Sequence, residues 1–555
     1  MLFSRNQSIQ WVKFLLVFLN IFVIVQSQCQ VTLKQNYGVV IGNGILKTTF
    51  KGNPYCAFLG IPYAKPPVGN LRFEPPQPLD LSLVTSFRNF ASPSPVCIQN
   101  HALNSDSFGQ EDCLYLNVYS KPSFFGVLKP VLVWIHGGFF NYGSAYIDGA
   151  DRPDYLVDED ILVVTFNYRL GILGYLYRVD DNIIGNNGFR DQLAVLKWIQ
   201  RNIEAFGGDP NRVTLMGWSA GSASIGYHMH TSRSMGLFHG AIMVSGTPIS
   251  PWAYQTYAEG CVKNVCRTLG IPCEHGKLKE SLKNLPADIF QTREFNINTK
   301  ISYFGNVVYP CFVPAIESPY SQVLGNYRHL QLQRLPLLTD VPLVIGRTTA
   351  ENWFTHNVTR RTLENPWNFT YPNTNEQIVD SLRKYLQDRT RELNNDSKKL
   401  IVGSSIPYEV QKYADYHATK ATSPTYMYRF SYKKDDNMVG ALHGDDLKYI
   451  FIQRDFHLQQ SDEEIALREI IPRFLGNFVK YGNPTPVSNP TTPKWLPYTK
   501  DGLRMEIYTD ITMVADVKTD TFYRWEEILQ CLENFECERF FEITAERTCS
   551  PGECC

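Results

Sequence analysis

The sequence predicts an α/β protein whose central sheet is mostly parallel and flanked by helices. Three observations predict it. Short, unbroken apolar runs each end on glycine or a polar residue, an amphipathic helical stretch lies between two of them, and no linker-like segment divides the 555 residues.

The runs come in order. Pro130–Ile135 leads into His136-Gly137-Gly138, and Ile161–Phe166 leads into Asn167-Tyr168-Arg169. Val213–Met216 runs into Gly217, Ala241–Val244 into Ser245-Gly246, and Pro342–Ile345 into Gly346. Runs of this length without polar alternation read as strands buried on both faces, which parallel sheets contain. Between the second and third, Leu193, Leu196, Ile199 and Ile203 recur every three or four residues, so 190–205 is expected to form an amphipathic helix. Residues 250–340 and 355–420 are richer in helix formers and polar residues and read as large insertions. In such sheets, functional groups collect at the carboxyl ends of the strands, where these runs stop.

Bulk properties exclude little else. An apolar fraction of 44% against 19% charged is ordinary for a protein with a large core. A formal charge of −1 gives no reason to expect nucleic acid as a partner.

The N-terminus is more specific. Arg5 and Lys13 precede the apolar run Phe14–Val25, and Val25-Gln26-Ser27 offers small residues for cleavage. About 12 apolar residues fall short of the ~20 that span a bilayer, so residues 1–27 are expected to be a signal peptide removed after Ser27. Residues 28–530 then form the main domain, secreted, extracellular and without a membrane span. From Cys531 the chain turns acidic and cysteine-dense, so 531–555 reads as a tail stapled to the body or open to intermolecular disulfides that would make an oligomer. Thirteen cysteines in an exported chain should largely pair, with at least one left over. Their spacing is irregular and no histidine pair stands nearby at ligand spacing, so no metal site is expected. Asn357, Asn368 and Asn395 carry glycosylation sequons.

The chemistry concentrates at Gly217-Trp218-Ser219-Ala220-Gly221. A G-x-S-x-G arises by chance in a chain this long about one time in six, so context decides. Here it follows a buried strand and opens the small-residue helix Ser222-Ala-Ser-Ile, as a nucleophile elbow requires. An oxyanion needs backbone N–H donors. Ala220 supplies one by position, and Gly137 and Gly138 stand on an earlier glycine loop after a strand. An acid and a histidine are expected downstream. Glu351 follows the strand that ends at Gly346, although a capping glutamate would read the same. Of eleven histidines, His101 and His136 precede the serine and His228 and His230 fall in its helix region. Composition cannot choose among the other seven.

At these residues the chain resembles the type-B carboxylesterase and cholinesterase family of the α/β-hydrolase superfamily, over roughly residues 30 to 525. Gly60-Ile-Pro-Tyr-Ala64, Arg72-Phe73, Glu111–Asn117 and His136-Gly-Gly138 are similar to its N-terminal motifs. Phe206–Pro210 followed by Val213–Gly221 resembles its serine signature, Gly346–Glu351 its acid segment and His443–Phe451 its histidine segment. The resemblance implies a carboxylic-ester hydrolase with Ser219 as nucleophile, His443 as base and Glu351 as acid. Gly137, Gly138 and Ala220 would form the oxyanion hole, the substrate would be a small ester, and no metal or organic cofactor would be needed. It also implies a Cys97–Cys113 disulfide worth roughly 3 kcal/mol. Cys273 resembles half of a second bridge, but Ser281 stands near the expected partner, leaving Cys261 or Cys266 to replace it.

Two departures bear on substrate. Trp218 stands where cholinesterases carry a glutamate, and the Cys97–Cys113 loop holds no tryptophan. A quaternary ammonium wants an aromatic face there, so acetylcholine is not expected as substrate. The competing readings are a non-catalytic cholinesterase-like binding or adhesion protein and a lipase. The first would keep the fold and lose the nucleophile, and the second would share the triad and differ in pocket and lid.

Overall fold

The computed structural model describes residues 29–526 apart from 36–37, 80–86, 101–106, 123–125, 147–151, 251, 256–257, 292–299, 303–307, 316, 318–335, 352–405, 435–439, 453–460, 488–492, 500–501, 519–521 and 524–525. The expected signal peptide, the cysteine tail and Asn357, Asn368 and Asn395 lie outside the described residues.

The framework is an 11-stranded sheet. In chain order its strands are β1 (Ile45–Thr48), β2 (Pro54–Pro62), β3 (Tyr115–Ser120), β4 (Lys129–Ile135), β5 (Leu162–Phe166), β6 (Gly208–Trp218), β7 (Gly240–Val244), β8 (Leu343–Thr348), β9 (Thr425–Phe430), β10 (Leu503–Ile507) and β11 (Thr512–Ala515). Across the sheet the order is β1-β2-β3-β5-β4-β6-β7-β8-β9-β10-β11. Every pair from β5 to β10 is parallel. The pairs at both edges are antiparallel. This is the mostly parallel sheet expected from the apolar runs.

The parallel strands are apolar on both faces because both faces are covered. Val131, Val133 and Ile135 of β4 join one core cluster, whereas Leu132 and Trp134 join the other. Strands β6, β7 and β8 divide the same way, with Leu215, Met243 and Ile345 to one side and Met216, Ile242 and Val344 to the other. Helices α1 (Asn187–Asn202) and α2 (Ala220–His230) cover the first face together with α3 (Ala258–Leu269) of the first insertion and α4 (Ile406–Lys420), through residues such as Leu196, Ile225, Val265 and Val410. Helix α5 (Asp462–Tyr481) covers the second with Leu467, Ile471, Phe474 and Phe478. Among the described residues no helix is long and apolar enough to cross a membrane.

Periodicity predicted the first helix nearly in place. It begins three residues earlier and gives way to a 3-10 turn at Ile203–Phe206. Strand β6 is longer than its apolar run, because Gly208 already pairs with Lys129 and a register shift separates it from Val213.

Among the described residues, four disulfides bind loops to this frame: Cys29–Cys56, Cys97–Cys113, Cys261–Cys311 and Cys266–Cys273. Of the two candidates for Cys273, Cys266 takes it, seven residues away at the end of α3, and Cys261 reaches Cys311.

Helix α2 is fixed to α1 by a buried imidazole. His228 Nδ1 lies 2.7 Å from Ser234 Oγ, its Nε2 lies 3.1 Å from Gln192 Oε1, and its ring stacks on Phe189 at 4.2 Å. Burial pushes this histidine from 6.5 down to about 3. Between those values the unfolded chain binds a proton that the folded chain does not, so this contribution to stability is lost as pH falls below about 6.5. Chemical denaturation from pH 7 to pH 4 is therefore expected to show a smaller loss of stability in His228→Gln than in the wild type. Parallel curves would contradict it. Replacing both Cys97 and Cys113 by alanine is expected to cost about 3 kcal/mol in the same measurement.

Candidate active site

Ser219 is the single residue between β6 and α2, with φ 54 and ψ −117. A non-glycine residue in this region is strained, and such strain persists only where the surroundings over-determine it. Here they do. The Ser219 amide donates to the Val244 carbonyl of β7 at 2.8 Å, and the Ser219 carbonyl accepts from Ala223 in the first turn of α2 at 2.9 Å. A β-carbon at Gly221 would lie 2.0 Å from the Ile135 carbonyl oxygen, and one at Gly246 would lie 2.4 Å from the Ser219 carbonyl oxygen. Only glycine lets β4, β7 and α2 close on the turn this tightly. The serine itself is buried.

The loop after β4 folds over this turn. The imidazole of His136 stacks on Tyr168 at 4.2 Å, and the Tyr168 hydroxyl donates to the His136 carbonyl at 2.8 Å. Burial pushes His136 down to about 4, so it is neutral at physiological pH. Asn141 ties the loop to the insertion by donating to the Phe139 carbonyl at 2.6 Å and to the Phe312 carbonyl at 3.2 Å. The amides of Gly137 and Gly138 donate to no acceptor among the described residues. Ala220 opens α2, where the first amides have no intrahelical partner. A β-carbon at Gly137 would sit 3.2 Å from the Ser219 β-carbon, so the loop and the serine are immediate neighbours.

Glu351 and His443 come from different segments laced together by backbone. The Ala350 amide donates to the Ala441 carbonyl at 2.8 Å, and the Ala441 amide donates to Thr349 Oγ1 at 2.9 Å. This sets Glu351 Oε2 2.5 Å from His443 Nδ1. The other carboxylate oxygen accepts from Ser245 Oγ at 2.6 Å and from the Thr348 amide at 2.7 Å. Burial alone would raise this carboxyl, but His443, Ser245 and Thr348 together hold it below its ordinary range, so it is ionised.

A second carboxyl stands one turn on. Burial pushes Asp446 up to about 7, against the Tyr428 hydroxyl that donates to it at 2.8 Å, while the charge on Glu351 adds to the rise. Two buried carboxyls, one touching the imidazole and one acting on it through its charge, have their acidities driven apart, the pattern of acid–base sites.

The structure thus brings Glu351 and His443 into direct contact and sets Gly137 beside Ser219. Trp218, adjacent to the serine in the chain, lies against His443 with ring centroids 4.9 Å apart. Ser245, Thr348, Tyr428 and Asp446 were not singled out from sequence. For Ser245 a signal existed, a polar residue before a glycine at the end of an apolar run. For Asp446 none did, since its burial depends on Tyr428 of β9. Gly221→Ala is expected to destabilise the fold by on the order of 3 kcal/mol through overpacking. A thermal midpoint equal to the wild type would show that the approach is looser than described.

Residues 27–525 match the model of the carboxylesterase family. The chain is 30% identical over 562 residues to Esterase FE4 of Myzus persicae, covering 94% of this chain and 95% of that one. It is 33% identical over 515 residues to a juvenile hormone esterase of Tribolium castaneum, covering 82% and 84%. The crystal structure of juvenile hormone esterase from Manduca sexta, with OTFP covalently attached, superposes with a TM-score of 0.77 at 27% identity, covering 90% of this chain and 100% of that one. A parallel sheet covered on both faces, with a buried serine and an imidazole–carboxylate pair at its carboxyl edge, together with these matches, shows that the chain belongs to the carboxylesterase family, has the α/β-hydrolase fold and is a carboxylic-ester hydrolase.

Proposed function

We propose that the protein is a secreted serine esterase that cleaves small carboxylic esters through an acyl-enzyme, with Ser219 as nucleophile, His443 as base and Glu351 as acid. The observation that carries the reading is the 2.5 Å bond between Glu351 and His443, whose ring touches Trp218, the residue before a serine on a strained strand-to-helix turn. In the first step, His443 takes the Ser219 hydroxyl proton as the oxygen attacks the ester carbonyl. Ionised Glu351 accepts from Nδ1, which fixes the tautomer that leaves Nε2 free to receive that proton and steadies the imidazolium. The amides of Gly137, Gly138 and Ala220 hold the oxyanion. The imidazolium then protonates the departing alcohol, and water attacks the acyl-serine with His443 again as base. A covalently attached OTFP in the related juvenile hormone esterase is consistent with a serine that forms adducts.

Removal of residues 1–27 would leave the esterase domain, 28–530, with the tail 531–555 available for disulfides within or between chains. Trp218 in place of a carboxylate beside the serine, and a Cys97–Cys113 loop without tryptophan, favour uncharged alcohols over choline.

A fluorophosphonate probe is expected to label the secreted protein at Ser219, and absence of label would reject the assignment. Ser219→Ala is expected to lower kcat by about 10⁶ on a nitrophenyl ester. Glu351→Gln should lower it less, by about 10⁴, through the wrong tautomer. Turnover retained in the serine variant would overturn the mechanism.

A further inference from the structure

We infer that Trp218 is a positioning residue for the esterase reaction: its indole face holds the His443 ring and stabilises the imidazolium that forms when Ser219 gives up its proton. The inference rests on the triad proposed above and adds a component to it.

Three observations carry it. The indole lies against the imidazole at 4.9 Å between centroids with the rings inclined by 34°, within the ~6 Å over which an aromatic face attracts a cation. Space for the indole is made by glycine on two separate segments. A β-carbon at Gly137 would come within 2.7 Å of Trp218 Cε3, and one at Gly444, which has φ 89, within 2.9 Å of Cζ2. The six-membered ring is thus wedged between the glycine loop over the serine and the residue that follows His443. Finally, the buried indole Nε1 has no hydrogen-bond partner among the described residues. Burying an N–H without an acceptor costs stability. A phenylalanine would avoid that cost.

The chemistry follows from the charge change at His443. In the ground state the ring is neutral and gains only ordinary stacking from Trp218. As the Ser219 proton moves to Nε2, with Nδ1–H kept on Glu351, the ring becomes cationic and the π-face attracts it more strongly. An interaction that grows towards the transition state raises kcat and leaves KM little changed. Of the titratable groups around His443, Glu351 from the loop after β8 contacts the ring, and Asp446, with Tyr428 behind it, interacts with it through its charge. Trp218 is the aromatic one in contact with the ring among the described residues.

The test is a series at position 218 in the full-length secreted protein, assayed on a nitrophenyl ester across pH. Trp218→Phe is expected to keep kcat within about threefold. Trp218→Leu is expected to lose about ten- to thirtyfold in kcat at nearly constant KM. The acid limb of kcat/KM against pH, which reports protonation of the free enzyme's base, is expected to move to lower pH in Trp218→Leu. It should move equally in an Asp446→Asn background, which excludes titration of Asp446 as the source. Trp218→Met serves the same purpose if the leucine variant does not fold. If activity follows side-chain volume alone, so that Leu or Met equals Phe with no displacement of the limb, the inference is overturned. Fluorophosphonate labelling of the wild type separates the two levels. Wild type that labels at Ser219 beside an unaffected Trp218→Leu sinks this inference alone, and wild type that does not label sinks the triad beneath it.

Discussion

The site depends on one strained residue held where strand becomes helix. Ser219 keeps a positive φ because three neighbours leave it no alternative: the Val244 carbonyl that takes its amide, the helix turn that takes its carbonyl, and the backbone of β4 pressed against Gly221. The strain is of order 1–3 kcal/mol. It is offset by packing on both faces of the sheet, which is why the elbow stands on the most deeply buried strands and not on an edge. The same closeness brings the Gly137 loop, which follows β4, next to the serine that follows β6, since these strands are neighbours in the sheet though far apart in the chain.

The electrostatics are built from adjacent strand ends in the same way. β7 contributes Ser245, β8 contributes Thr348 and then Glu351, and β9 contributes Tyr428. Ser245 and Thr348 donate to Glu351 and hold it below the ordinary carboxyl range despite burial, whereas Tyr428 alone does not offset the burial that raises Asp446. The difference between the two carboxyls is a difference in donors: two hydrogen bonds and an imidazole against one hydroxyl. Glu351, kept ionised against the Nδ1 side of the His443 ring, favours a proton on that nitrogen.

Much of this was legible in the chain. The apolar runs marked β4, β5, β7 and β8 within a residue or two of one end, because strands covered on both faces carry no polar interruption. Strands β9 and β10 were not legible, since Thr425–Phe430 and Leu503–Ile507 interleave Tyr, Arg and Glu with their apolar residues. Arg429 and Arg504 are paired with Glu506, so burial there is achieved by ion pairs that no hydropathy pattern reveals. Glu351 could not be told from a helix cap on strand logic, nor His443 from six other histidines. Only the family resemblance separated them. Their contact spans 92 positions of chain and is created by the lacing of Ala350 to Ala441. The pairing of Cys266 with Cys273 was equally hidden, because it depends on how α3 ends.

The double-sided burial of β4 has a consequence before the sheet is complete. Val131-Leu-Val-Trp-Ile135 is uncharged, apolar and rich in β-branched residues, the composition from which self-associating strands are made. In the finished molecule β5 and β6 occupy its two edges and helices occupy its faces. During synthesis its second edge stays open until Gly208–Trp218 has emerged, so this run is exposed to aggregation in the nascent chain. A variant that slows the pairing of β6, even one remote from the chemistry, would be expected to lose yield before it lost activity.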